Sequence, residues 1–240
     1  MTICILLLAL GLITLLFYIR EKLKAYTLKA VFLKTTVSVF FLAVAVCGWY
    51  AASCTAGQLH QTGVWIVLGL LFGLLGDIWL DLKYVYPAQD DPFTYAGFAS
   101  FAIGHILFII GLIQRFYPSG KLGYICIPIL IAILVSAGNL VLEKPMKLHF
   151  GKMKWIVFGY GAILFSTVAI SGALAMYYGW TVTTLNLFFA GGVLFAISDL
   201  VLSGTYFGGK ERPIDIILNY LTYYPAQFLI ALSLLFLNQQ

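Results

Sequence analysis

Residues 69–84 read GLLFGLLGDIWLDLKY. The first part is apolar enough for a bilayer or a deep core, yet Asp77 and Asp81 stand at its end, about one helical turn apart. A carboxylate at the centre of a membrane helix costs about 2.5–3.5 kcal/mol on insertion scales, so such groups usually face a cavity or a partner. Whether these two cap a helix or carry chemistry depends on what the rest of the chain brings to them.

The surroundings are those of a bilayer. The chain is 62% hydrophobic and 10% charged, and its mean hydropathy of +1.00 lies far outside the range of soluble domains. Apolar periods long enough to cross a membrane run over about 3–19, 30–50, 63–82, 93–115, 122–142, 155–176, 183–203 and 214–237. The expected fold is therefore all-α: a polytopic membrane protein of eight transmembrane helices, with 1–240 as a single integral membrane domain. The first run has no basic leader and no small-residue cleavage site, so it reads as a retained helix. Trp49, Trp65, Trp155 and Trp180 fall at span ends, as an interfacial belt requires. Cys54 falls in a loop and Cys4, Cys47 and Cys126 in spans, which gives neither a disulfide framework nor a paired metal spacing.

Charge gives an orientation. Arg20, Lys22, Lys24, Lys29, Lys83, Lys144, Lys147, Lys152, Lys154, Lys210 and Arg212 fall in odd-numbered loops, and only Arg115 and Lys121 on the other side. By the positive-inside rule both termini face away from the cytoplasm, in what reads as a bacterial cytoplasmic membrane. The net charge of +5 is then the basic rim of a membrane protein, and no nucleic-acid partner is implied.

With these depths the costly polar groups fall in one half of the bilayer. Asp77 and Asp81 end span three and Asp199 lies in the last turns of span seven. Lys34 lies one to two turns into span two, and His105 near the middle of span four. Span eight begins with Asp215 and carries Asn219, Tyr220, Tyr223, Tyr224 and Gln227. Asp81 and Asp215 also suit an interface facing water; His105 alone suits an interhelical hydrogen bond; Lys34 suits a structural ion pair with one aspartate. A duplication sharpens the choice. GDIWL at 76–80 matches SDLVL at 198–202, and GHILFII at 104–110 matches AQFLIAL at 226–232, both at an offset of 122. Two matches at one offset suggest parallel four-helix repeats, 1–120 and 121–240, related by an axis along the membrane normal. Asp77 and Asp199 would then be two halves of a carboxylate pair.

These motifs resemble the YhhN family, whose characterised members are lysoplasmalogenases. The resemblance covers essentially the whole chain and rests on LLGDIWL, FAIGHILFI, FAISDLVL, YLTYYPAQFLIA and the lysine in VFLKTT. It implies an acidic pair, Asp77 and Asp199, with Lys34, His105 and the span-eight tyrosines Tyr223 and Tyr224 around it; Asn219, Gln227 and Asp81 join the supporting set by their depth in the spans. Asp81 is not part of the family pattern, and the family lysine is often followed by proline where this chain has Thr35. The implied reaction is hydrolysis of the vinyl ether of a lysoplasmalogen taken from the bilayer. Its products are a fatty aldehyde and glycerophospho-ethanolamine or -choline, with water as co-substrate. Such a bond opens when its outer alkene carbon is protonated and water adds beside the oxygen. One carboxyl that keeps its proton and one that stays ionised would serve.

No cofactor is called for. His60, His105 and His149 fall in an outer loop, a span and an inner loop, too dispersed for a histidine-rich zinc site. Two other readings fit the same residues: a proton-coupled transporter of small solutes, and a lipid-binding scaffold whose polar groups hold helices together.

Overall fold

A backbone in lipid must satisfy its own polar groups, which leaves helices as the solution for long apolar runs of this length. In the computed structural model, residues 2–209 and 212–238 are described. They form α1 (Thr2–Lys22), α2 (Leu28–Ala56), α3 (Gln61–Val85), α4 (Asp90–Phe116), α5 (Gly123–Val141), α6 (Lys154–Tyr177), α7 (Thr183–Gly208) and α8 (Pro213–Ser233). Local chemistry sets several ends. Thr27 caps α2 by accepting the Ala30 N–H at 3.2 Å, and Gly57 closes it in the left-handed region at φ 66°.

Seven of these helices are long and apolar enough to cross a membrane, which fits a multi-pass membrane protein. The exception is α8, whose Asp215, Asn219, three tyrosines and Gln227 dilute its apolar character. The bundle explains how it is tolerated: α8 packs against α2 and α7 and touches α1 and α3, so those polar groups are buried among protein. Large apolar side chains point outward instead, as with Ile3, Leu16 and Phe17 on α1 and Ile127, Leu130 and Leu134 on α5.

The helices α2, α3, α4, α6, α7 and α8 close a ring, each packed on the next and α8 back on α2. Outside it, α1 lies on α2 and α5 on α6. Packing details recur 122 residues apart. A Cβ on Gly69 would come within 2.8 Å of Gly104 O across the α3–α4 contact, and one on Gly191 within 2.8 Å of Ala226 O across α7–α8. Small residues at these points let the paired backbones approach. The match is incomplete, because α1 also reaches α8 while no comparable packing joins α5 to α4.

Several boundaries differ from the sequence expectation. Cys54 lies inside α2 rather than in a loop, since α2 continues to Ala56. Trp49 is likewise inside α2, where its indole N–H donates to His60 O at 2.8 Å. Lys22 ends α1 and is buried, so it is not a rim charge. Lys210, counted among the loop cations, lies outside the described residues.

Candidate functional site

Asp77 sits eight residues before the end of α3 and Asp199 nine before the end of α7, which puts both roughly 12–14 Å below the same end of the bundle. They line one cavity. Every ring helix contributes to its wall: Lys34 from α2, Asp77 from α3, Phe98 and Phe101 from α4, Tyr160 from α6, Asp199 and Tyr206 from α7, and Asn219, Tyr220 and Tyr223 from α8.

Asp77 is 2% exposed and fully engaged. Its Oδ2 accepts from Ser38 Oγ at 2.6 Å and from Tyr223 Oη at 2.8 Å, and its Oδ1 lies 3.3 Å from Lys34 Nζ. Lys34 also reaches Asp81 Oδ1 at 3.4 Å. Asp81 in turn holds Lys22 Nζ at 2.8 Å and accepts from Tyr18 Oη at 3.0 Å. Lys22, Asp81, Lys34 and Asp77 thus form a ladder of alternating sign with no net formal charge. Tyr26 and Tyr84, stacked at 4.4 Å, shelter Lys22, whose Nζ lies 4.5 and 4.4 Å from their ring centroids. A ladder this well paired meets the condition under which buried ions are tolerated.

Asp199 has other company. Tyr160 Oη donates to its Oδ2, and among the described residues no cation lies in ion-pair range of it. An apolar crevice adjoins the cavity, sharing Phe98, Tyr160, Asp199, Leu202 and Tyr206 as common wall. It runs between α5, α6 and α7 and is closed on one side by Met146, Leu148 and Phe150. Glu143 folds that connection back, accepting from Lys154 Nζ and from Phe150 N, each at 3.0 Å. The same two donors hold the Glu143 carboxyl below its ordinary range.

The other expected residues divide. Tyr223 and Asn219 line the cavity, and Asn219 Nδ2 ties α8 to α7 through Ser198 O and Oγ at 2.9 Å. Gln227 stands one layer back, donating to Tyr223 Oη at 3.0 Å, and Tyr224 Oη reaches Lys34 O at 3.4 Å. His105 is not brought to the cavity wall: its Nδ1 meets Thr167 Oγ1 at 3.2 Å and its ring packs on Phe195 and Phe108. Asp81 is not at a wet interface but 2% exposed within the ladder. Asp215 pairs with Arg212 at the start of α8.

Residues the sequence reading passed over include Lys22, Tyr18, Ser38, Tyr160, Tyr206 and Phe98. One signal was available for two of them. Ser38 precedes Asp77 by 39 residues and Tyr160 precedes Asp199 by 39, so each aspartate has a hydroxyl at the same spacing. No group of three or more His, Cys, Asp or Glu converges as a ligand set among the described residues.

A scan against protein families matches the YhhN family over residues 29–234, from the first turn of α2 to the end of α8. None of the curated proteins and none of the solved structures matches the chain.

Proposed function

The chain belongs to the YhhN family, and from that premise we propose that it is a lysoplasmalogenase-like hydrolase acting within the bilayer. Its substrate is the vinyl ether of a single-chain ether lysophospholipid. Its products are a fatty aldehyde and a glycerophospho-ethanolamine or -choline. The observation that carries this reading is one cavity with two unlike carboxyls, Asp77 beside Lys34 and Asp199 with no cation beside it among the described residues.

The roles follow from that difference. A proton donor must hold its proton, and the carboxyl without a counter-ion is suited to the task. Asp199 gives its proton to the outer alkene carbon, leaving an oxocarbenium ion. Asp77, kept anionic by Lys34, stabilises the cation and takes a proton from the water that adds beside the ether oxygen. The hemiacetal then collapses: its hydroxyl proton returns to Asp199, its C–O bond breaks, and Asp77 protonates the departing alcohol. Both carboxyls end as they began.

Further support comes from packing that recurs 122 residues apart, which favours parallel repeats 1–120 and 121–240 with the cavity between them. The basic loops favour an orientation with both termini outside the cytoplasm. A reporter fused to the C-terminus and active only in the cytoplasm would overturn that orientation. For the reaction, detergent-purified protein is incubated with a lysoplasmalogen and aldehyde is assayed. Release that persists after prolonged EDTA treatment is expected. Absence of release rejects the hydrolase, and loss on chelation restored by one divalent ion replaces proton transfer with metal-assisted chemistry.

A further inference from the structure

Neither lysine of the ladder can take a lipid phosphate without giving up a carboxylate. Lys22 holds Asp81 at 2.8 Å, and Lys34 stands 3.3 and 3.4 Å from Asp77 and Asp81. A different cation lines the adjoining polar crevice. This space is bounded by Lys83, Tyr84, Pro87, Asp90, Thr205 and Tyr206. Lys83 comes from the last turn of α3, and its side chain is 10% exposed. Its polar partners are distant: Thr94 Oγ1 at 3.4 Å and Asp90 Oδ1 at 3.5 Å. Its Nζ instead lies 3.6 Å from the centroid of the Tyr206 ring. Asp90 is 59% exposed, so water competes for its carboxylate and the pair with Lys83 is easily exchanged.

Tyr206 makes this crevice more than a surface feature. Its ring is wall to the polar crevice, to the cavity of the two aspartates and to the apolar crevice beyond. Three spaces of different character therefore meet at one side chain. We propose that the Lys83 crevice binds the phosphodiester of a zwitterionic lysolipid, with Asp90 facing the amine of its head. A compact ammonium beside hydroxyl donors suits a phosphate oxygen, and an exposed carboxylate nearby suits the positive end of the same head. With the head there, the bonds just below the glycerol lie past Tyr206 between Asp77 and Asp199, and the chain continues into the apolar crevice. The placement of the chain rests on the hydrolase reading above; the recognition of the phosphodiester is measured without any reaction.

The test uses the full-length protein in detergent and reads thermal stability against four ligands. These are an acyl lysophosphatidylcholine, a lysophosphatidic acid and a monoacylglycerol of the same chain, and inorganic phosphate. The wild type is expected to gain more from the phosphate-bearing lipid than from the monoacylglycerol, and nothing from inorganic phosphate. Lys83→Met should erase the difference between the two lipids, and Lys83→Arg should keep most of it. Asp90→Asn, at an exposed position, should weaken the preference for lysophosphatidylcholine over lysophosphatidic acid. It serves as the second variant should Lys83→Met fail to fold. Full discrimination in both variants overturns the site, and a response to inorganic phosphate equal to that of the lipid reduces it to an anion site and overturns the lipid assignment. In the hydrolysis assay, Lys83→Met should raise KM for a lysoplasmalogen about tenfold while KM for an alkenylglycerol lacking phosphate stays put. A structural defect would move both. If the wild type releases no aldehyde yet still discriminates between the lipids, the hydrolase reading falls and the Lys83 site stands.

Discussion

Asp77 on α3 and Asp199 on α7 each accept a hydroxyl proton from the helix one hairpin earlier, Ser38 on α2 and Tyr160 on α6. Beyond that first bond the two halves part. Around Asp77 the space is filled with Lys34, Asp81, Lys22 and Tyr18. The positions 122 further on are Ile156, Ser203, Lys144 and Leu140. Without a charge ladder there, and with α5 set apart from α4, that side opens into the apolar crevice that Ser203 helps line. Positions 122 residues apart thus carry charged groups around Asp77 and line an apolar crevice beside Asp199. On the hydrolase reading proposed above, two carboxyls with opposite protonation duties can share one cavity because their neighbours differ.

The comparison breaks first at turnover. Asp77→Asn and Asp199→Asn should each slow aldehyde release by about 10²–10⁴-fold, the usual worth of a positioned acid or base. Their thermal stabilities should differ in direction of cost: Asp77→Asn leaves Lys34 with one carboxylate instead of two and lowers Tm, whereas Asp199→Asn strands no cation and leaves Tm near the wild type. Equal Tm losses would mean that Asp199 has a charged partner after all and that the halves are alike. Next comes stability at the rung that joins both lysines. Asp81→Asn leaves Lys22 and Lys34 with only Asp77 between them, and breaking a buried ionic set of this kind costs about 3–5 kcal/mol. Denaturant unfolding in detergent measures it, and a loss under about 1 kcal/mol, the range of surface pairs, would show the ladder to be wet. The smallest effect is expected on the open side. Ala196→Phe puts a ring into the apolar crevice one turn from Asp199, so KM should rise a few-fold for long chains and little for short ones. A uniform change across chain lengths would detach the crevice from the substrate.

Much of the fold was legible because each helix is a long apolar run separated by polar turns, and membrane helices advertise themselves in that way. The aspartates, Lys34 and the polar face of α8 were legible for the complementary reason, since such residues are costly in lipid. What escaped was rotation and identity of partners. Lys22 reads as one more rim cation until α1 packs on α2 and brings its last residue to Asp81 at 2.8 Å. Tyr160 lies within an apolar span with nothing in its own segment to single it out. His105 was legible as a polar group but not in its direction, because α4 is apolar on most sides and the sequence does not say which face meets α6. Asp81 seemed bound for water by depth alone, and only the two lysines explain its burial.

Synthesis from the N-terminus makes the arrangement of the ladder matter for assembly. Both lysines and both of their carboxylates lie on α1, α2 and α3, so the first 85 residues can neutralise themselves before the rest of the chain exists. The last helix has no such provision. More polar than the seven long apolar helices, α8 bonds to helices made before it: Asn219 to Ser198, Tyr223 to Asp77, and Tyr224 to the carbonyl of Lys34. A chain whose final helix has not docked has neither a closed ring nor a finished hydrogen-bond shell around Asp77.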